Sequence, residues 1–235
     1  MIGAQPVAIL PARARLSLVA AAIEPILNRV VLAGPPVIGL LLNDPAVRVP
    51  QLTFAADSIL QLLSTSMVDR LAVDLQKLGL TRVGRSANGD RWRAADDASF
   101  DLIQVRADDG DSEQICLEYA TLLTLPLAVA DHITVRIAGA PAMLALECAA
   151  FEKSSVSALD SAELERAIQL IAGRGEIEKE CAAAPQELRA VFALTLERVA
   201  NNDSVQLMIQ RAIPDAIVIP SLAARVRARM LRVAC

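Results

Sequence analysis

The sequence predicts an α/β fold, with a sheet in the front half of the chain and an all-helical back half, on three observations. Short apolar or alternating segments recur between Val30 and Ile137, as the strands of a small sheet would. Runs with a helical period stand among them and then occupy the chain from Ala140 onward. Turn signals at Gly34-Pro35-Pro36, Asp44-Pro45 and Asn88-Gly89 punctuate the front half. The expected division is a core over 1–139 and a helical domain over 140–235.

Leu16, Val19, Ile23 and Leu27 share one helical face, which predicts a helix over Leu16–Leu27. Val30–Ala33 is apolar throughout, as a buried strand is. Pro35-Pro36 can open a helix, because the first helical positions need no N–H, and Val37–Leu42 continues it to a stop near Asp44-Pro45. After a loop at Val47–Pro50, a second strand is expected around Leu52–Leu62. Thr65–Leu78 carries Val68, Leu71, Leu75 and Leu78 on one face, with Gly79 as its C-cap. Thr81–Arg85, Arg91–Ala94 and Ser99–Arg106 read as strands joined by hairpin connections at Asn88-Gly89 and Ala95–Ala98. Asp108–Ser112 is a polar loop, and Ile133–Ile137 a further strand. Helices are expected over Pro141–Phe151, Ser161–Ala172, Pro185–Ala200, Val205–Ile213 and Ser221–Val233. Ser161, with Glu163 and Glu165 behind it, makes a good helix start.

Composition narrows the function. Hydrophobic residues make up 54% and charged residues 21% of the 235, which excludes a disordered chain. A net charge of −4 and an isoelectric point near 5.1 argue against a duplex-binding surface. With aromatics at 3%, few stacking platforms exist for single strands, so nucleic acid is not an expected partner. Cys116, Cys148, Cys181 and Cys235 form no CxxC pair and His132 is the sole histidine, a poor set for zinc. Cys148 and Cys181 sit in apolar helical patterns, which suits free thiols in a reducing cytoplasm. No apolar run reaches the length of about eighteen residues that a membrane span needs, and residues 1–22 lack the pattern of a secretory signal. A mean hydropathy of +0.42 favours a homo-oligomer or a protein partner covering apolar surface.

The chemistry-bearing residues lie at the predicted strand ends. Gly34-Pro35-Pro36 is a strand-to-helix turn, where a phosphate can meet backbone N–H groups. Thr53, Asp57 and Asp101 follow on or beside later strands, where carboxylates can hold Mg²⁺ for an in-line phosphoryl displacement. A D-x-D pair on one strand would present two carboxylates to one face, but the position two before Asp57 is Ala55.

The runs VVLAGPPVIGLLLNDP (Val30–Pro45), TFAADSI (Thr53–Ile59), DRWR (Asp90–Arg93) and FDLIQV (Phe100–Val105), followed by APAMLALECAAF (Ala140–Phe151) and SAELERAIQLIAGRGEI (Ser161–Ile177), stand in a characteristic order. In that order the chain resembles the bacterial nucleotidyltransferase-like proteins of the polymerase-β superfamily, near the toxin components of AbiEii-type abortive-infection and toxin–antitoxin systems. The resemblance spans roughly residues 20–230. It implies a nucleotidyltransferase-like mixed sheet flanked by helices, followed by a helical half. The family's Gly-Gly or Gly-Ser turn falls on Gly34-Pro35, and its three metal carboxylates fall on Ala55, Asp57 and Asp101. Gly34 and Thr53 are the corresponding nucleotide-binding candidates, and a basic residue of the family falls on Glu147.

The departures fall on working groups. Pro35 supplies no N–H, Ala55 offers no oxygen, and Glu147 reverses a charge expected to face phosphate. The expectation is therefore a pseudoenzyme that acts by protein–protein interaction, with no cofactor and a weakened case for NTP binding. The alternative is an active Mg²⁺-dependent enzyme of toxin–antitoxin type, transferring NMP to RNA or protein. It would keep Asp57 and Asp101 as metal ligands and take a replacement cation from Arg85, Arg91 or Arg93. A second alternative is a structural subunit of a larger assembly. Other polar features have plainer readings. Asp108, Asp109 and Asp111 around Gly110 do not match the calcium-loop spacing, and Asp131-His132 reads as a surface turn. Arg225, Arg229 and Arg232 read as a solvated flank of the last helix, with partner or RNA contact as the rival.

Overall fold

The structure, a computed structural model, describes residues 9–50, 55–60, 65–85, 89–94, 99–105, 111–154, 161–203, 205–217 and 219–235. Contacts divide the chain into two compact units. The first comprises 1–37, 51–110 and 120–139; the second comprises 38–50, 111–119 and 140–235.

The first unit is built on a seven-stranded mixed sheet. Its strands are β1 (Val30–Ala33), β2 (Ala55–Leu60), β3 (Thr81–Arg85), β4 (Gly89–Arg93), β5 (Ser99–Gln104), β6 (Thr124–Ala130) and β7 (Ile133–Ala138), in the order β3-β4-β5-β2-β1-β7-β6. β1 is antiparallel to β2 and parallel to β7, and β2 is parallel to β5. Val30–Ala33 is buried at every position, as the sequence predicts for a strand covered on both faces. Trp92 and Phe100 stand opposite each other on β4 and β5, and both are buried.

Helix α1 (Ile9–Ala22) packs on β6 and β7 through its apolar face, with Ala12, Leu16, Val19, Ala20 and the following Ile23 buried. It begins earlier than predicted and ends before Leu27. Pro25 has no N–H to return to the preceding turn, so the chain tightens into a 3-10 stretch over Glu24–Arg29. Arg13 also donates to the Ala128 carbonyl (2.8 Å). Helix α3 (Thr65–Lys77) buries Leu71 and Leu75, and Gly79 caps it at φ 80°.

Two elements of the front half are not in the sequence reading: strand β6, and helix α4 (Ser112–Leu122), whose first residue is the predicted loop's Ser112. β6 is an edge strand containing Pro126 and is mostly open to solvent, so it shows no clean alternation. Helix α2 (Pro35–Leu41) and α4 each run from one unit into the other.

The second unit is a helical assembly of α5 (Ala140–Lys153), α6 (Ala162–Gly173), α7 (Ile177–Ala182), α8 (Gln186–Ala200), α9 (Val205–Ala212) and α10 (Pro220–Ala234). The sequence reading lacks α7, a helix of six residues. α5 packs on α6 and α8, and α10 on α6, α7, α8 and α9. Leu164, Ala167, Ile168 and Ile171 form the buried stripe of α6, and Ser161 caps it by accepting the Leu164 N–H (3.1 Å). Residues 38–50 are stitched in by backbone. The Asn43 and Asp44 N–H groups donate to the Gly173 carbonyl (2.8 and 3.0 Å), and the Arg48 N–H donates to Ala212 (2.8 Å). Gly173 permits this approach, since a Cβ there would lie 2.9 Å from Leu42 Cδ2 and 3.2 Å from Val47 Cβ.

Candidate functional site

The candidate residues converge on one row across the sheet of the first unit. β1 ends at Ala33, which is paired with Asp57 on β2; Asp57 is paired with Asp101 on β5, and Asp101 with Arg91 on β4. Gly34 follows Ala33 directly and turns the chain at φ 83°, a conformation open to glycine. The turn, both aspartates and an arginine thus occupy adjacent places, although they span positions 34 to 101. Ala55 pairs with Ser99 two residues away from Asp57 on the same strand and contributes no oxygen. Thr53 and Asp108–Gly110 lie outside the described residues.

Asp101 is the best-defined member. Its residue is 6% exposed, and both carboxylate oxygens accept from one guanidinium: Arg91 Nε to Oδ1 at 2.7 Å and Nη2 to Oδ2 at 2.8 Å. The geometry follows from the sheet, because residues opposite each other on neighbouring strands project to the same face. It is the bidentate fork that arginine forms with carboxylates. A cation therefore already stands at the position where the carboxylate would meet a metal. A magnesium ion would have to displace it and then find its remaining oxygens without Ala55. Among the described residues, no three His, Cys, Asp or Glu side chains are placed to hold one metal ion.

Gly34, Pro35 and Pro36 are buried, and α2 is only seven residues long. Its first two helical positions are prolines, so neither can direct an N–H at an anion. The Val37 N–H already bonds the Gly34 carbonyl (3.0 Å).

The remaining candidates have other employment. Glu147 is 5% exposed inside the second unit, bonded by Arg166 (Nε–Oε1 3.0 Å, Nη2–Oε2 2.9 Å), which also reaches Glu163 at 3.2 Å. Burial opposes the charge on Arg166, but Glu147 and Glu163 outweigh it and hold the guanidinium above its ordinary pKa. Glu147, expected from the sequence as a reversed charge against phosphate, is thus an acid paired with Arg166 within the second unit. Asp111 and Glu113 bind Lys153 (2.5 and 2.6 Å). Asp131 and His132 form the exposed turn between β6 and β7.

Arg225 and Arg232 are exposed, but Arg229, at 17% side-chain exposure, does not belong to a solvated flank. Arg229 and Arg232 both bond Glu178, and Arg229 also donates to the carbonyls of Ala172, Arg174 and Gly175. Among the replacement cations considered for the phosphates, Arg93 is exposed and Arg91 is committed to Asp101. Sequence reasoning named Arg91 without finding its partner. The signal lies in the hairpin: β4 and β5 pair symmetrically about position 96, and that register sets 91 against 101.

No family model matches the chain, and no curated protein matches it in sequence. Among solved structures it is similar to an antigenic nucleotidyltransferase-like protein from Paracoccidioides brasiliensis, with a TM-score of 0.51 and 15% identity over 89% of this chain and 96% of that one. A candidate nucleotidyltransferase from H. pylori gives a TM-score of 0.48 at 12% identity, covering 95% of each chain. The first likeness shows a nucleotidyltransferase-like fold: a mixed sheet with helices, followed by a helical half. At that identity it speaks for the fold alone.

Proposed function

We propose that this nucleotidyltransferase-fold chain is a pseudoenzyme that works through contact with another protein or a second copy of itself. One observation carries the reading: the buried Asp101 carboxylate is bound on both oxygens by Arg91, so the protein's own guanidinium takes the part a metal would play. The missing oxygen at Ala55 and missing donors at Pro35 and Pro36 act in the same direction. The relation to AbiEii-type toxins belongs to this proposal as a statement of ancestry. Exposed Leu194, Leu207 and Ile217 give the chain apolar surface suited to a protein contact. Among the described residues, no helix is long and apolar enough to cross a membrane.

One observation favours an active Mg²⁺-dependent nucleotidyltransferase instead, namely the in-register placement of Asp57 and Asp101 beside the Gly34 turn. Thermal melting with Mg²⁺ and each of the four NTPs separates the two readings. Ligand at a hundred times its Kd would add about 2.7 kcal/mol of stability. The expected result is no shift of the midpoint, and no transfer of label from radioactive NTPs to the chain, RNA or a partner. Transfer that disappears in Asp57→Ala and Asp101→Ala would overturn the pseudoenzyme.

A further inference from the structure

The second unit contains a cleft of about 370 Å³ lined by α10, by the turn at Asp44–Val47 and by Ile213. Its charged lining is unequal: Arg225, Arg229 and Arg232 stand against Asp44 and Glu178. Glu178 is already engaged by two of the arginines, at 3.0 Å from Arg229 and 2.9 Å from Arg232. Asp44 turns back on its own loop, its Oδ1 accepting the Ala46 N–H (2.9 Å). Arg229 is further anchored by the carbonyls at the end of α6. Arg225, one helical turn before Arg229, is exposed and makes no ion pair or hydrogen bond among the described residues. The lining arginines thus outnumber its acids by one charge, and Arg225 is the guanidinium without a partner among the described residues.

The rest of the lining is apolar, with Val47, Leu222 and Val226 beside Ile213. An inorganic anion would leave that surface unfilled. A volume in the range of small-molecule sites, one uncommitted guanidinium and an aliphatic wall together suit a ligand with an anionic head and a hydrocarbon body. We propose that this cleft binds a small organic anion, its phosphate or carboxylate on Arg225 and its apolar part against Leu222 and Val226. The site lies wholly within the helical unit and does not depend on whether the sheet is catalytic.

Isothermal titration of the full chain with 1-naphthyl phosphate tests this, with inorganic phosphate and 1-naphthol as its separate halves. The expected result is saturable 1:1 binding of naphthyl phosphate, about tenfold or more tighter than either half. Arg225→Gln should weaken it by about tenfold, while Arg225→Lys retains part of the affinity. Both variants should keep the wild-type thermal midpoint, because the side chain is exposed and has no partner among the described residues. Absence of saturable binding, equal binding of inorganic phosphate, or affinity unchanged in Arg225→Gln would each overturn the proposal.

Discussion

Asp101 lies on a central strand with both oxygens committed to Arg91, whose own side chain is 45% exposed. A carboxylate in that position can be partnered by a metal or by an arginine, and here the arginine stands opposite it on β4. Removing it leaves a nearly buried carboxylate without its bidentate partner. Arg91→Ala should therefore destabilise the chain by about 1–2 kcal/mol, discounted for the arginine's exposure. Arg91→Lys should recover only part, since an ammonium cannot form the fork. Urea denaturation reads both. If the pair is the source, Arg91→Ala should cost clearly less in an Asp101→Asn background, and equal costs in the two backgrounds would refute the coupling. Arg91 and Asp101 were each conspicuous in the sequence, but the pairing was not. It depends on the hairpin register, which turn residues mark only approximately.

The elements of the second unit are joined by charged side chains reaching to other helices as well as by apolar stripes. Glu178 on α7 receives both Arg229 and Arg232 from α10, and Thr195 and Arg198 on α8 bond Glu152 on α5 (2.6 and 2.7 Å). The hydrogen bond from Arg232, with Arg229 behind it, holds the Glu178 carboxyl below its ordinary value of 4.5, although partial burial works the other way. A depressed folded-state pKa means that this contribution is present above the unfolded value and is lost as pH falls through the folded one. Glu178→Gln should therefore lower stability at pH 7 and flatten its decline from about pH 5 downward. Thermal midpoints across that range measure the effect, and parallel wild-type and variant curves would refute it. The acidic start of α6 was legible because a capping serine followed by acids is a local pattern. α7 was not legible, because six residues with Ile177 and Cys181 as the buried pair carry too little period.

Across the whole molecule, packing decides which reactive groups are available. Cys116, Cys148 and Cys181 are buried free thiols, while Cys235 is exposed. Burial pushes Cys116 and Cys181 up to about 12 and Cys148 well above its ordinary value. At pH 8 a thiol reagent should react rapidly with Cys235 alone and with all four cysteines once the chain is unfolded. Absorbance of the released thiolate counts them directly, and fast labelling of more than one native thiol would show that the cores open. The same packing surrounds Glu147 and Arg166, whose pair is spent on joining α5 to α6.

The sequence by itself determined the class of fold, most of the helices and the central strands. Those follow from periods of two and 3.6 residues and from prolines and glycines that act on their immediate neighbours. It also contained the absences at Ala55, Pro35 and Pro36, because a missing oxygen or N–H is a property of the residue type. Tertiary structure alone decided that Arg91 meets Asp101, that Arg166 meets Glu147, and that Arg229 and Arg232 close on Glu178 while Arg225 has no partner among the described residues. These partners are set by strand register and helix packing between distant segments. No local pattern encodes which of several arginines will reach which acid, because that choice depends on where the backbone places each pair.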